Sequence, residues 1–527
     1  MADSLIDQLR RERPEYRREC EWLAFLADAY TGGGGFQGRV RQPESGYWGA
    51  AAEQYASSSS VLADASRASL SNGSYLDRFH REDQPKYDAR RDLAHYLNYV
   101  EPLTDLKVSY MLRKPFTRVE EPAEIEAWRA DIDGEGTSYD DLRPQLATNA
   151  AVLGWTPLLI DRPVAPPGLS AAQARDIGAD RFLVHQLSPA NILEWSERGG
   201  RLLWAKTRVC SVDVAGWNMP PIKVEEISVW YPDHVERWVI RTPEKGNPVV
   251  ESLGSFTHPF KRVPLAIFRH KRVPSKASCV VGLPMHAQVS LVARRLFNLT
   301  SEFDEHIRQQ VFAILVLPRM PGQAGDVSVG TTNGLECGPE QKNVPYYLAP
   351  PATVADTLEK RVEATVKEIY RMARVEFSRP TGGSTASGVA LAYEFAQTNR
   401  AIGDFASEFA RGETDVIQIV GTALGISEER LKKARVVAPS DFSIDDLAAD
   451  LKAAADAVSL GIGPTATVEV KYRAIEQLLP HAPAETMAKI RRELDEAAKQ
   501  PPPAPPPAPP APPGNKPAPQ PPAPPAA

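Results

Sequence analysis

Thr353-Val-Ala-Asp-Thr-Leu-Glu-Lys-Arg-Val-Glu-Ala-Thr-Val-Lys-Glu-Ile-Tyr-Arg-Met-Ala-Arg-Val-Glu376, then Ser378-Arg-Pro-Thr-Gly-Gly-Ser-Thr-Ala-Ser387, then a long run opening at Gly388, decides how the chain is read. In the first segment Val354, Leu358, Val362, Val366, Ile369 and Ala373 recur every four or three residues, with Lys360, Arg361, Glu363, Lys367, Glu368 and Arg371 between them. That spacing predicts a helix over 353–376 with one apolar stripe on a charged rod. Pro380 and Gly382-Gly383 stop it. A second helix is expected over 388–424, carrying Leu391, Phe395, Ile402, Phe405, Phe409, Val416, Val420 and Leu424. Gly403 and Gly412 lie inside it, each costing about 1 kcal/mol against Ala. Glycines kept there point to a bend or a close contact. An ordinary α-rich core could also contain such a hairpin, so the rest of the chain has to decide.

The 527 residues are 43% hydrophobic and 24% charged, which fits a folded body of two to four domains. The net charge of −6 argues against tight, static gripping of nucleic-acid phosphates by the chain as a whole. Cys20, Cys210, Cys279 and Cys337 are too far apart for a metal motif and too few for a disulfide framework. They are expected to be bland thiols in a reducing compartment. The N-terminus lacks a signal-peptide pattern, and no run of 18 apolar residues spans a membrane.

Upstream, 3–30 reads as helical with a break at Pro14, ended by the run Gly32–Gly35. That run follows a helix and lacks the Lys-Ser/Thr of a phosphate loop. Residues 40–74 are Ser-rich and aperiodic. Helices are expected over 85–114, interrupted at Pro102, and over 122–133 and 138–152. Between 152 and 270 the pattern turns to short strands: 152–160, 182–187, 202–209, 222–231, 236–241 and 264–268. This is an α+β part with a mixed or antiparallel sheet. A long helix follows over 284–311, with Leu296 and Phe303 on its apolar side, about 40 Å long at 1.5 Å per residue. Two rods, 284–311 and 353–376, thus flank a small Gly-rich module. Residues 427–498 read as helical again, with Ser443 and Asp446 in a capping arrangement. The last 27 residues contain 16 prolines, a polyproline II or disordered tail.

Catalytic motifs are missing: no Gly-x-Ser-x-Gly, no His-Glu-x-x-His, no Gly-x-Gly-x-x-Gly after a strand. His95 and His306 read as surface or packing residues, and Asp445-Asp446 as helix capping. No catalytic residue, metal ligand or cofactor is assigned, and no enzyme activity is expected.

The order of parts resembles the portal proteins of tailed bacteriophages, within them the portal-like family long filed as an uncharacterised phage domain. The likeness covers about 5–498. It rests on Trp22-Leu-Ala-Phe-Leu-Ala-Asp28, Tyr75-Leu76, Tyr87-Asp-Ala-Arg90 and Arg113-Lys114-Pro115-Phe116. Further along it rests on Ser188-Pro-Ala-Asn-Ile-Leu-Glu-Trp195, Val263-Pro264, Leu335-Glu-Cys-Gly338, Ser387-Gly388, Asp441-Phe442 and Leu460-Gly461. The resemblance implies a portal-like α+β fold: a wing over 1–283, stem helices 284–311 and 353–376 and a clip over 312–352. A tunnel loop over 377–387, a kinked wing helix over 388–426, a helical crown over 427–500 and the tail over 501–527 complete it. It implies a channel loop carrying Arg379, Thr381, Gly382, Gly383 and Ser384. Stem packing would use Val354, Leu358, Val362, Val366, Ile369, Leu296 and Phe303. It also implies a closed ring, usually of twelve, at one capsid vertex of the virion, assembled in the host cytoplasm. Double-stranded DNA would pass through it during packaging and ejection. The expected partners are the terminase large subunit, a head-tail adaptor, and capsid and scaffolding proteins. The terminase would hold the ATP chemistry, in keeping with the missing phosphate loop.

Two other readings remain. A scaffold could use the proline tail to dock SH3-like partners, although Lys516 is the tail's only charge. A hydrolase with an unrecognised site has only the 152–270 sheet in its favour.

Overall fold

The computed structural model describes residues 2–36, 74–133, 136–163, 173, 181–214, 217, 220–243, 246–273, 278–311, 314–316, 346–348, 352–375, 388–439, 442, 456, 463–478 and 484–499. The chain divides into two units, Met1–Phe442 and Ser443–Ala527.

The first unit opens with α1 (Ala2–Leu9) and α2 (Tyr16–Thr31). Gly32 closes α2 in the left-handed conformation at φ 68°, its N–H donating to the Asp28 carbonyl, as a glycine C-cap does. Then come α3 (Gln84–Leu93), α4 (Val100–Arg113), β1 (Thr117–Val119), α5 (Ala123–Ala130) and α6 (Tyr139–Leu153). The interruption expected at Pro102 lies earlier, over 94–99. The Asn98 side-chain oxygen accepts from the Val100 and Glu101 N–H groups at 3.1 and 3.2 Å. Pro102 therefore falls in the first turn, where its missing N–H has no intrahelical partner to lose. A capping box at Ser138 and Asp141 starts α6.

Next are β2 (Trp155–Asp161), β3 (Leu183–Gln186), β4 (Ile192–Arg198), β5 (Arg201–Asp213), β6 (Ile222–Trp230), β7 (His234–Pro243), β8 (Val249–Thr257) and β9 (Leu265–Arg269). Val152 and Leu153 end α6 instead of starting a strand. The turn is made at Gly154, with φ 90°, and a Cβ there would stand 2.7 Å from the Gly282 carbonyl oxygen. Strands 2, 3 and 9 form a sheet in the order β3-β2-β9, and strands 4 to 8 a sequential five-stranded meander. Every described pairing is antiparallel. The sequence missed β4 and β8. β8 is almost wholly exposed and lies at the sheet edge, so no apolar alternation marks it.

The chain continues through α7 (Ala287–Val311), β10 (Ile314–Val316), β11 (Tyr346–Leu348), α8 (Ala352–Met372) and α9 (Gly388–Ala423), then α10 (Glu428–Lys433) and β12 (Arg435–Val437). β12 pairs with β1, so the stretch expected to be helical from 427 contains a strand, and the first unit runs on to Phe442. Val436 is buried in the core under α9.

Four apolar clusters hold the unit. α9 lays Phe405, Phe409, Ile419 and Val420 over Phe268, Leu158, Leu146 and Phe116. A second cluster joins α2, α4, α7 and the end of α8. Trp155, Trp230, Ile192 and Leu265 fill a third. Ile6 and Leu9 of α1 meet Ile227 and Ile240 of the five-stranded sheet.

In the second unit α11 (Pro464–Leu478) and α12 (Ala484–Lys499) are described. Arg491 bridges them, 3.2 Å from the Glu469 carboxylate and 4.8 Å above the Tyr472 ring. The expected cap at Ser443 and Asp446 and the proline tail lie outside the described residues.

Candidate functional site

The two stem helices of the sequence reading, now α7 and α8, lie against each other, and β10 pairs with β11 between them in sequence. The apolar stripe of α8 is covered unevenly. Ile369 and Ala373 are fully buried, beside Leu296, Phe297, Val289 and Ala293 of α7. Val362 and Val366 are half-buried against the same cluster. Leu358 is half-exposed and Val354 is 41% exposed. On α7, Phe303 is half-buried, while Ile307 is 37% and Val311 69% exposed. The resemblance implies that the whole stripe serves stem packing. In the structure its C-terminal half belongs to the chain's own core, and the uncovered part is the end nearest β10 and β11.

The region before α3 clamps α7. Arg294 contacts Asp77 at 2.8 Å, Asn298 Nδ2 donates to the Tyr75 carbonyl at 3.0 Å, and the Asp77 N–H donates back to Asn298 Oδ1 at 2.6 Å. Arg90, only 4% exposed, donates to Glu82 at 2.8 Å, to the Asp77 carbonyl at 2.7 Å and to Ser301 at 3.3 Å. Three of the quoted short stretches thus have structural jobs. Tyr75 donates to Asp28 at 2.8 Å, Tyr87 donates to the Leu76 carbonyl at 2.9 Å, and Ser188 caps a short turn with Asn191.

Two buried polar groupings were not read from the sequence. In the first, Glu413 of α9 is 2% exposed and accepts from Arg143 of α6. Burial raises its pKa, against the pull of Arg143 and Arg118. Asp140 accepts from Arg118 and Arg129 at 2.9 and 2.8 Å. This network ties α6 and β1 to the middle of α9.

The second set is of basic residues whose charged forms burial opposes. Lys107 of α4 is 8% exposed, and burial, with the Arg374 guanidinium, pushes its pKa down to about 8. His286 is 5% exposed, and burial, with Lys107 and His270 nearby, pushes it down to about 3. His270 Nδ1 lies 2.9 Å from the Leu283 carbonyl and is pushed down to about 4 by burial. No periodicity marks these residues, because they come from four separate segments.

Arg379, Thr381, Gly382, Gly383 and Ser384 lie outside the described residues, as does most of 312–352. The flanks of the loop are described: Arg374, at φ 57°, ends the turn after α8, and its carbonyl accepts from the Thr398 hydroxyl of α9 at 2.8 Å. Cys20 is buried, Cys210 exposed and Cys279 intermediate, and none of these three is in a disulfide. Among the described residues no group of three His, Cys, Asp or Glu could hold a metal, and no helix is long and apolar enough to cross a membrane.

No protein-family model matches the chain, and no curated protein matches it. Among solved structures it is similar to the neck of an empty GTA particle computed with C6 symmetry. The identity is 13% over 68% of this chain and 86% of that chain, with a TM-score of 0.34.

Proposed function

We propose that this chain is a portal-type subunit that closes into a ring around a DNA channel at one vertex of a phage-like particle. The observation that carries this reading is the uneven cover of the paired helices. α7 and α8 are anchored in the core at one end, while at the other Ile307, Val311 and Val354 keep apolar surface that the described residues leave bare. Single exposed apolar residues are ordinary. Three on adjoining helix ends, continuous with a buried stripe, suit packing against a neighbouring copy around a symmetry axis. In that ring the segment 377–387 narrows the channel, and 312–352 meets the adaptor and the terminase large subunit. Capsid and scaffolding proteins surround the wing. A channel wall of mixed charge lets DNA slide, because each gripped phosphate adds salt-sensitive affinity that movement must break.

Particle size tests it. Purified protein imaged by negative stain, with its mass measured by light scattering, is expected to show closed rings of several hundred kilodaltons against 57.8 kDa for one chain. A monomer or dimer at micromolar concentration overturns the reading.

A further inference from the structure

A groove of about 610 Å³ opens between α2 and α7. Its floor is aromatic. Trp22 stacks on Phe25 at a centroid distance of 5.5 Å, and Tyr75 meets Phe25 edge-on at 5.2 Å. The Tyr75 hydroxyl donates to Asp28 at 2.8 Å, which fixes how that ring is turned. Leu291 of α7 completes the floor and is 42% exposed. Trp22 and Tyr75 are half-buried. The Trp22 indole N–H makes no hydrogen bond among the described residues. The rim is charged, with Glu15, Glu19 and Glu21 against Arg18 and Arg294. Arg294 is already engaged by Asp77 at 2.8 Å, and Glu19 by Arg13. Glu21 is exposed and forms no ion pair among the described residues.

We infer that this groove takes the proline-rich segment 501–527 of a neighbouring copy of the chain. The inference deepens the ring reading above and rests on it. Proline-rich segments dock in grooves lined by aromatic rings, whose flat faces suit pyrrolidine rings. The hydrogen bonding matches as well. Sixteen of these 27 residues are prolines, which offer carbonyl acceptors and no N–H. Their groove has to supply donors, and the Trp22 indole and the Arg18 guanidinium do so. Ordering costs little, because a proline run is extended and stiff before it binds. Lys516, the segment's one charge, meets a lining with more carboxylates than guanidiniums, and Glu21 is its partner. At 3.1 Å per residue the 27 residues reach about 80 Å, enough to pass from one copy to the next. Contact between two different surfaces of adjacent copies is also the kind that closes a ring.

The test uses the full-length protein with a benzophenone amino acid in place of Ala511, irradiated and then analysed by denaturing gel and peptide mass mapping. Links are expected to join two chains and to map to the peptide carrying Trp22 or the one carrying Leu291. Leu291→Asp, at an exposed position, should keep the fold and lose the link. Glu21→Lys should lower its yield, and Glu21→Lys with Lys516→Glu should restore it, a rescue that a merely structural effect does not give. Links confined to single chains, links spread over the surface, or a groove link that every variant leaves unchanged overturn the inference. Light scattering on the same sample separates two failures. Rings without the link refute the docking alone, while a monomer or dimer refutes the ring.

Discussion

A Cβ built on Gly412 would stand 2.7 Å from Cδ1 of Phe268, whose ring is fully buried on β9. The glycine inside α9 is therefore the place where the helix comes down onto the three-stranded sheet. Phe268 also meets Phe409, one turn earlier, at a centroid distance of 4.9 Å. The sequence expected a bend or a close contact at Gly403 and Gly412. Gly412 makes the contact, against a strand, while a Cβ at Gly403 would have room, with Phe442 at 3.8 Å.

Gly412→Ala is expected to destabilise the protein. Helix propensity favours Ala by about 1 kcal/mol, but overpacking against an aromatic ring costs about 1–3 kcal/mol. The added methyl would stand 2.7, 2.9 and 3.0 Å from three ring carbons of a fully buried side chain, so the steric cost wins. Urea unfolding should show a lower midpoint, partly restored by Phe268→Leu in the same chain. An unchanged or higher midpoint in the single variant would show that the ring can shift.

The stem separates fold from assembly. Val362→Asp with Val366→Asp places charge against the chain's own core, at a cost of several kcal/mol, and should lower the melting temperature as well as ring yield. Val311→Asp with Val354→Asp changes exposed positions, where substitutions typically stay within about 0.5 kcal/mol. Light scattering should then show folded subunits that no longer close into rings. Full-size rings from the second pair would remove those residues from the interface.

The loop prediction concerns passage of DNA. Deleting Thr381–Ser384, or changing Arg379 to Glu, is expected to leave ring size unaltered and to impair DNA packaging or retention. Arg379 is the loop's only charge, so contact with phosphate is sparse, about one per subunit, and weakly salt-dependent. Normal packaging by rings carrying the deletion would sink the channel-loop assignment.

Acid should loosen the base of α7. His286 and His270 are held neutral by burial, at about 3 and about 4 against the usual 6.5. A depressed folded-state value means the stabilisation is present above pH 6.5 and is lost as pH falls towards 4 and then 3. The groups facing them, Lys107 and Lys271, are cations, and the Leu283 carbonyl lies 2.9 Å from His270 Nδ1. For His286 the slope is about 1.4 kcal/mol per pH unit below 6.5. Unfolding free energy measured from pH 7 to 4.5 should fall less steeply in His286→Gln. Parallel slopes in the two proteins would assign the acid sensitivity elsewhere.

Period and punctuation were enough to locate the long helices. The apolar spacing of Val354–Ala373 and the glycines after Thr31 are local features, and local features act before tertiary contacts form. Strand β8 escaped because an exposed edge strand need not alternate. The start of α4 was misplaced because a prolyl residue reads as a break unless the Asn98 cap before it is noticed. Segment 435–437 took strand form only because β1, over 300 residues earlier in the chain, lies there to pair with it.

The sequence by itself determined that the chain is α+β, that two amphipathic rods flank a small module, and that no recognised catalytic motif is present. Tertiary structure alone decided which half of the α8 stripe is core and which is left bare. It also decided that Glu413 finds Arg143, and that Lys107 and His286 are buried. Burial and pairing depend on which distant segments meet. Periodicity says which face of a helix is apolar, but not what will cover it.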